Sequence, residues 1–384
     1  MKKKFIMMVA MASVFFAGCG SNENTSEESA DKDTVKIGST FPTTGQYSNY
    51  GVSTLNGVKM AVEEINANGG IGGKQIDFES LDDKGDLTDT VSSYHKLVEN
   101  GAEAIIGTNT SAPTQAIAEA SVADGIPLVT PTGADINITE GKANVFRACY
   151  TNPYLGSVVA TFAKETLNAK TAAILQNSSS DYSTGIADAF EEKAKELGIE
   201  IVANESYGEN DTDFKAQLTT IAGAKPDVLL LPEYYEKLSL ITPQAREANI
   251  EATFLGGDGW DGILKTMDES SYDIIQDAYF ANHFSIEDTD PEVKKFIDTY
   301  REKYGEDPTA FSALGYDSVY IIKDGFEASK SDSNEDRIAA IKAINFEGIT
   351  GDFSFDENNN PQKSAVMMKI DDGKYTFDSI VKPN

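Results

Sequence analysis

The sequence predicts an α/β protein built of two doubly wound parallel-sheet lobes with a ligand cleft between them. Three observations carry this. The 384-residue chain keeps about 350 residues beyond its polar N-terminal stretch, too many for one ordinary core. Short apolar runs alternate with segments of helical period, as βαβ units require. That alternation restarts once, after Val145 to Ala148.

In the first series, apolar runs at Val35 to Thr40, Gln75 to Leu81, Ala104 to Gly107 and Pro127 to Thr130 alternate with helical segments at Gly51 to Asn68, Leu87 to Glu99 and Ala112 to Ala123. Leu55, Val58, Val62 and Ile65 recur at spacings of three and four, so one helix face must pack on a sheet. The second series runs through a helix at Tyr154 to Leu167, then Ala172 to Gln176, Gly185 to Leu197, Ile199 to Glu205, Phe214 to Ala222, Val228 to Leu231, Leu238 to Ala248 and Thr253 to Gly256. Three further helical stretches follow, Glu292 to Lys303, Ala310 to Ala328 and Arg337 to Ile344, and then a strand-like tail from Phe353. No repeat of solenoid period occurs.

Ahead of the body, Lys2, Lys3 and Lys4, an apolar run from Phe5 to Phe16 and the small residues Ala17-Gly18 before Cys19 read as an export signal over residues 1–18. The apolar run falls short of the roughly 20 residues that span a bilayer. Cys19 after Ala-Gly resembles the lipobox of bacterial lipoproteins, with Phe16 where that motif usually has Leu. The resemblance implies a lipidated Cys19 and an extracytoplasmic protein anchored to the cell membrane. Residues 19–33 carry almost no apolar side chain beyond the cysteine and read as a disordered tether.

The net charge is −30 at pH 7, and removing Lys2, Lys3 and Lys4 makes it more negative still. A field of that sign repels polyanions and excludes nucleic acid as a partner. Cys149 is the only cysteine beyond Cys19, so the body holds no internal disulfide and no cysteine-rich metal site. Its expected role is a small buried apolar residue.

Ligands of open parallel sheets bind at the carboxyl ends of the strands, where loops lead into helix N-termini. In the first series these loops are Phe41 to Gly45, Thr108 to Thr114 and Pro131 to Asp135, which are rich in small hydroxyls. Hydroxyls and free amides at the positive end of a helix suit a carboxylate. In the second series the loops carry Asp181-Tyr182, Glu233-Tyr234-Tyr235 and Gly257-Asp258-Gly259-Trp260, acids and aromatics that suit a cation with an apolar stem. Together they describe a cleft for a zwitterion. Taken one loop at a time, the same residues also serve as ordinary caps and turns.

The run Val35-Lys36-Ile37-Gly38 through Thr44-Gly45 and Tyr50-Gly51, then Gly57 to Asn66 and Gly69-Gly70-Ile71-Gly72-Gly73, resembles the opening of branched-chain amino-acid binding proteins, the type I periplasmic binding proteins that feed ATP-binding-cassette importers. The likeness continues through Asp82-Asp83, Gly107, Ile126 to Pro131, Phe146-Arg147, Asp181-Tyr182, Pro226-Asp227 and Gln244-Ala245-Arg246. It implies three crossovers between the lobes, near Cys149-Tyr150, Asn282-His283 and Gly351-Asp352. The lobes would then be 34–149 plus 283–351, and 150–282 plus 352–384.

For the site, the resemblance implies that Thr110, Ser111 and Thr114 hold the ligand carboxylate and that Thr132 offers its carbonyl to the ammonium. Tyr50 and Tyr182 would flank the ligand, Tyr234 or Tyr235 would join on closure, and Asp258 would pair the α-ammonium. Ala134 stands where similar proteins often have Thr, and Pro113 interrupts the carboxylate loop, so the choice among amino acids stays open. The implied partners are an amino acid and the permease and ATPase of an importer, with the receptor itself monomeric. A sensory receptor of the same fold, or a binder of an amide or aromatic acid, is the alternative.

Other chemistry finds little support. Gly257-Asp258-Gly259-Trp260-Asp261-Gly262 matches G-x-G-x-x-G, but it comes late in the chain and its carboxylate would repel a pyrophosphate. His95 and His283 are the only histidines, and neither has a cysteine or second histidine near it in sequence to suggest a metal. No G-x-S-x-G elbow occurs, so a serine hydrolase has no nucleophile site. The expectation is a receptor without cofactor or catalytic residues.

Overall fold

The computed structural model describes residues 34–382. The expected signal, Cys19 and the tether lie outside the described residues. The first βα series comprises β1 (Thr34–Phe41), α1 (Ser48–Ala67), β2 (Gln75–Asp82), α2 (Leu87–Glu99), β3 (Ala104–Gly107), α3 (Ser111–Asp124), β4 (Leu128–Thr130) and β5 (Val145–Arg147). Its five strands are all parallel, in the order β2-β1-β3-β4-β5. The second series comprises α4 (Asn152–Glu165), β6 (Thr171–Asn177), α5 (Asp181–Glu196), β7 (Glu200–Tyr207), α6 (Lys215–Ala224), β8 (Val228–Leu230), α7 (Tyr235–Glu247), β9 (Thr253–Gly256) and β10 (Tyr279–Asn282).

The remaining elements are α8 (Pro291–Tyr304), α9 (Ala310–Ala328), α10 (Asn334–Ala343), β11 (Asn345–Phe346), β12 (Phe353–Ser354), β13 (Ala365–Asp371) and β14 (Lys374–Val381). The second sheet runs β14-β13-β10-β9-β8-β6-β7. Its parallel part repeats the winding of the first sheet, and each sheet reverses direction beside its first strand, between β1 and β3 and between β6 and β8. That reversal opens a crevice at the carboxyl ends. The tail adds β13 and β14 antiparallel to the edge at β10, so the second sheet is mixed.

Alternation along each strand assigns its two faces. Ile106, Val129 and Phe146 share a core with α1, while Ile105, Leu128 and Val145 pack with α2 and α3. In the second sheet Ala172, Ile174, Val228 and Leu230 pack with α4 and α5, and Ala173, Leu175, Leu229 and Phe254 pack with α6 and α7. Helices on both faces explain why the parallel strands read as continuous apolar runs.

Some boundaries differ from expectation. Asp181 and Tyr182 open helix α5 rather than ending a loop, and Tyr235 opens α7. Strand β10 lacked a turn signal of its own. Beyond Gly351-Asp352, where a third crossover is expected, the chain keeps its contacts with the first sheet. Asn359 donates to the Val145 carbonyl and accepts from Arg147 N through its own carbonyl, and Asn360 bonds Thr139. The chain thus stays against the edge of the first sheet until Lys363-Ser364.

Helix α9 covers α1 at short range. A Cβ on Gly57 would stand 1.9 Å from the Ser312 carbonyl oxygen, and one on Gly315 would stand 2.4 Å from that of Thr54. Gly57→Ala should therefore lower stability by about 2 kcal/mol through overpacking, despite the ~1 kcal/mol that alanine gains in helix propensity. Gly223→Ala, in the exposed part of α6 with nothing within 4 Å of the added carbon, should raise stability by about 0.5–1 kcal/mol. Denaturant midpoints of the two variants check both signs.

Candidate functional site

The carboxyl ends of the first sheet are organised by two adjacent acids. Asp82 accepts hydrogen bonds from Thr43 N, Thr44 N and the Thr44 hydroxyl, which folds the turn after β1. Asp83 is buried and accepts from the Thr40 and Thr108 hydroxyls at 3.0 and 2.7 Å and from Gly85 N at 2.9 Å, pinning three loop starts together. Burial pushes the Asp83 carboxyl above its ordinary range, against the lowering effect of those donors.

The neighbouring loop is held from behind by Arg147. Its guanidinium is fully buried and donates to the carbonyls of Gly133 and Asp135 at 2.9 and 2.7 Å and to the Thr139 hydroxyl at 3.1 Å. Thr132 donates to the Asn109 carbonyl and accepts from the Asn109 amide. Thr130 likewise bonds the Thr108 carbonyl and Gly133 N. These loops therefore satisfy most of their own polar groups. The exceptions are Ser111 Oγ and Asn109 Oδ1, which are buried without a partner in the α3 entry.

Helix starts leave amide groups unpaired unless something accepts from them. Helices α2, α4, α5, α8, α9 and α10 have side-chain caps from Asp86, Thr151, Ser180, Asp290, Thr309 and Ser333. Helices α1, α3, α6 and α7 lack one of their own. At α1, α3 and α7, tyrosines from across the seam serve instead. Tyr235 Oη accepts from Asn49 N at 3.3 Å, Tyr50 Oη accepts from Tyr235 N at 3.3 Å, and Tyr234 Oη accepts from Ser111 N at 3.5 Å. Tyr50 in turn donates to the Gly259 carbonyl at 2.5 Å, and Tyr235 to the Gln46 carbonyl at 2.7 Å.

An aromatic stack leads from there to a carboxylate. Tyr234 lies face to face with Tyr182, with ring centroids 4.5 Å apart. Tyr182 donates to Asp258 Oδ1 at 2.8 Å and accepts from Gly259 N at 2.9 Å. The other carboxylate oxygen, Oδ2, lies 3.2 Å from His283 Nε2. Burial holds Tyr50, Tyr182 and Tyr234 far above the ordinary phenol range, so each remains a neutral hydroxyl.

Of the residues singled out from sequence, Tyr50, Ser111, Tyr182, Tyr234 and Asp258 are linked in this one network. Thr110 is the residue before the first turn of α3, and its carbonyl takes the Thr114 hydroxyl proton at 2.8 Å, which turns Thr114 back into its own helix. Ala134 is fully buried and its carbonyl accepts from Asn152 N. Tyr235 spends its hydroxyl on fastening the α1 entry rather than on the centre. Glu233 accepts from Tyr207 and from Tyr234 N, so this acid serves its own loop. Sequence reasoning did not select Tyr150, His283 or Phe311. Phe311, the second residue of α9, stacks on Tyr50 at 4.0 Å. The signal available for Tyr150 and His283 was their position at expected crossovers.

Cys149 is buried, and desolvation pushes its thiol up to about 12, as expected of an inert side chain. Among the described residues no helix is long and apolar enough to cross a membrane, and no group of three or more His, Cys, Asp or Glu is placed to hold a metal ion.

A family model described as periplasmic binding protein matches residues 34–374. A leucine-, isoleucine-, valine-, threonine- and alanine-binding protein of Pseudomonas aeruginosa is 29% identical over 332 residues, which covers 85% of this chain and 87% of that protein. The branched-chain amino acid transporter substrate-binding protein LivJ of Streptococcus pneumoniae, solved with isoleucine, superposes with a TM-score of 0.82 at 34% identity over 91% of this chain and all of that one. The leucine-binding protein LivK of Thermotoga maritima gives a TM-score of 0.83 at 30% identity over 91% and 99%.

Burial lowers the His283 pKa from 6.5 to about 4, against the raising effect of its hydrogen bond to Asp258. Between those values the unfolded chain binds a proton that the native state refuses, so stability rises with pH across the window and falls as pH drops from 6.5 toward 4. This group alone should cost the parent on the order of 3 kcal/mol over that drop. His283→Gln should lack the increment. Urea denaturation of both proteins at pH 7 and pH 4.5 tests it, and equal losses would refute the assignment.

Proposed function

Since the chain belongs to the periplasmic binding protein family, solute-binding proteins rather than enzymes, we propose that it is an extracytoplasmic receptor that captures an α-amino acid, branched-chain or similar, for an ATP-binding-cassette importer. The observation that carries this reading is the pairing of two features across one seam. On one side is the α3 entry, with a buried unpartnered Ser111 hydroxyl. On the other is the buried Asp258 carboxylate, joined to the first by the Tyr234–Tyr182 stack. An anion-favouring helix start opposite a carboxylate suits a zwitterion and disfavours a plain acid or a plain amine.

In this reading Ser111 Oγ takes the ligand carboxylate with the Ala112 amide, since Tyr234 accepts from Ser111 N, Pro113 has no N–H and Thr110 accepts from Thr114 N. Thr132, whose hydroxyl is committed to Asn109, offers its carbonyl to the ammonium together with Asp258. Tyr50, Tyr182 and Tyr234 wall the ligand. The relatives' ligands, isoleucine for one and leucine, isoleucine, valine, threonine and alanine for another, support an aliphatic side-chain pocket. The lobes close about crossings at Cys149-Tyr150, Asn282-His283 and Lys363-Ser364. The receptor works as a monomer, tethered by a lipid on Cys19, while the importer's permease and ATPase are its partners.

Two experiments test this. A buried ammonium without its carboxylate is costly, so Asp258→Asn should lose on the order of 2–5 kcal/mol of leucine or isoleucine binding while the empty protein stays as stable as the parent. Ser111→Ala should lose less, because the Ala112 amide still holds the carboxylate. Calorimetric titration decides, and unchanged affinity in Asp258→Asn would remove the acid from the site. Separately, Cys19→Ala should move the protein from membrane to medium with its ligand affinity intact, and fractionation of expressing cells reads the outcome.

A further inference from the structure

His283 sits at the second crossing, fully buried, and no part of the binding scheme above uses it. Its ring nitrogens differ sharply. Nε2 lies 3.2 Å from Asp258 Oδ2, while Nδ1 is buried with no partner. A carboxylate oxygen can only accept, so the ring proton belongs on Nε2. A second proton on Nδ1 would leave a charged donor buried and unpaired, which is far costlier than a bare lone pair. The ring is therefore a neutral single donor aimed at the acid.

The ring is also clamped. It stacks on Tyr150 with centroids 4.0 Å apart and planes 16° from parallel. Tyr150 belongs to the first crossing, donates to the Ser364 carbonyl at the third at 2.5 Å, and carries Lys363 Nζ 5.4 Å above its ring. Lys363 is itself fixed by the Thr350 hydroxyl at 2.7 Å. One tyrosine thus touches all three crossings and holds the imidazole plane against Asp258.

Resting on the amino-acid reading above, we propose that His283 is a positioning residue for ligand selection: through its Nε2 proton it holds the Asp258 carboxylate in the orientation that recognises an α-ammonium, and Tyr150 anchors it to the crossings. Tyr182 occupies Oδ1 and His283 occupies Oδ2, so the acid is gripped by two neutral donors that do not cancel its charge. A cationic partner in place of His283 would compete with the ligand for that charge. A neutral one fixes its direction and leaves it available.

The probes are L-leucine and 4-methylpentanoate, which lacks only the amino group. His283→Phe keeps the stacked ring and removes the donor; His283→Gln supplies an N–H donor without the aromatic stack. The parent should prefer leucine strongly, His283→Phe should shrink that preference at least tenfold, and His283→Gln should restore most of it. A purely structural role would weaken both ligands alike in His283→Phe, and equal preference in parent and His283→Phe would overturn the proposal. So would a glutamine variant no better than phenylalanine. Nitrogen-15 imidazole shifts are readable because His95 is the only other histidine, and they test the same claim without ligand. A neutral ring protonated at Nε2 supports it; a proton on Nδ1, or titration near 6.5, overturns it. If the parent binds no amino acid at all, the amino-acid reading fails, while the imidazole shifts still judge the histidine.

Discussion

The fold's two halves meet through an exchange of helix caps. Helix starts at α1, α3 and α7 carry no cap of their own, and the hydroxyls of Tyr235, Tyr234 and Tyr50 accept from them across the seam. Each phenol that accepts an amide also has a proton to place, which Tyr50 and Tyr235 deliver to backbone carbonyls at Gly259 and Gln46. The arrangement works only when both halves are close, so it sets the spacing at which everything between them is buried. At that spacing Asp258 is buried, and its two oxygens are met by Tyr182 and His283.

Charges buried at the crossings follow the same demand. Arg147 is wholly sequestered and bonded to two carbonyls and a hydroxyl, which keeps the Thr132 loop in place. Lys363 is pushed down to about 8 by burial, against the raising effect of the Asp317 charge. Asp317 is in turn tied to Ile349 N, Thr350 N and the Thr350 hydroxyl. Polar groups of this kind are expensive to bury and strict about geometry. They define where the chain crosses better than an apolar contact could.

Much of this was legible in the sequence because it is local. Helical period in α1, continuous apolar strands, the restart after Val145 and the hydroxyl-rich strand ends are all patterns within a dozen residues. Asp258 stood out for the same reason, as an acid in a glycine-rich loop after a strand. What escaped is non-local. Nothing beside His283 in the chain announces that Tyr150, more than a hundred positions earlier, will stack on it. Phe311 looks like an ordinary core residue of α9 until Tyr50 is laid over it. Residue type and loop are local for Tyr235, but the direction of its hydroxyl, toward Gln46 and Asn49, is not. The contacts of Asn359 and Asn360 with the edge of the first sheet are likewise non-local, their partners lying more than two hundred positions earlier.

The close seating of α9 on α1 bears on how the chain reaches this state. The apolar face of α1 is finished by residues 310–328, and the second sheet gains its last two strands only after residue 364. Neither half is a continuous stretch, so neither can be completed while the polypeptide is still emerging from the ribosome. Contacts of such long sequence separation make folding slow relative to a helical bundle of equal size. The core around α1 therefore stays open until residues 310–328 have joined it, and the second sheet keeps an unpaired edge at β10 until residues 365–381 arrive.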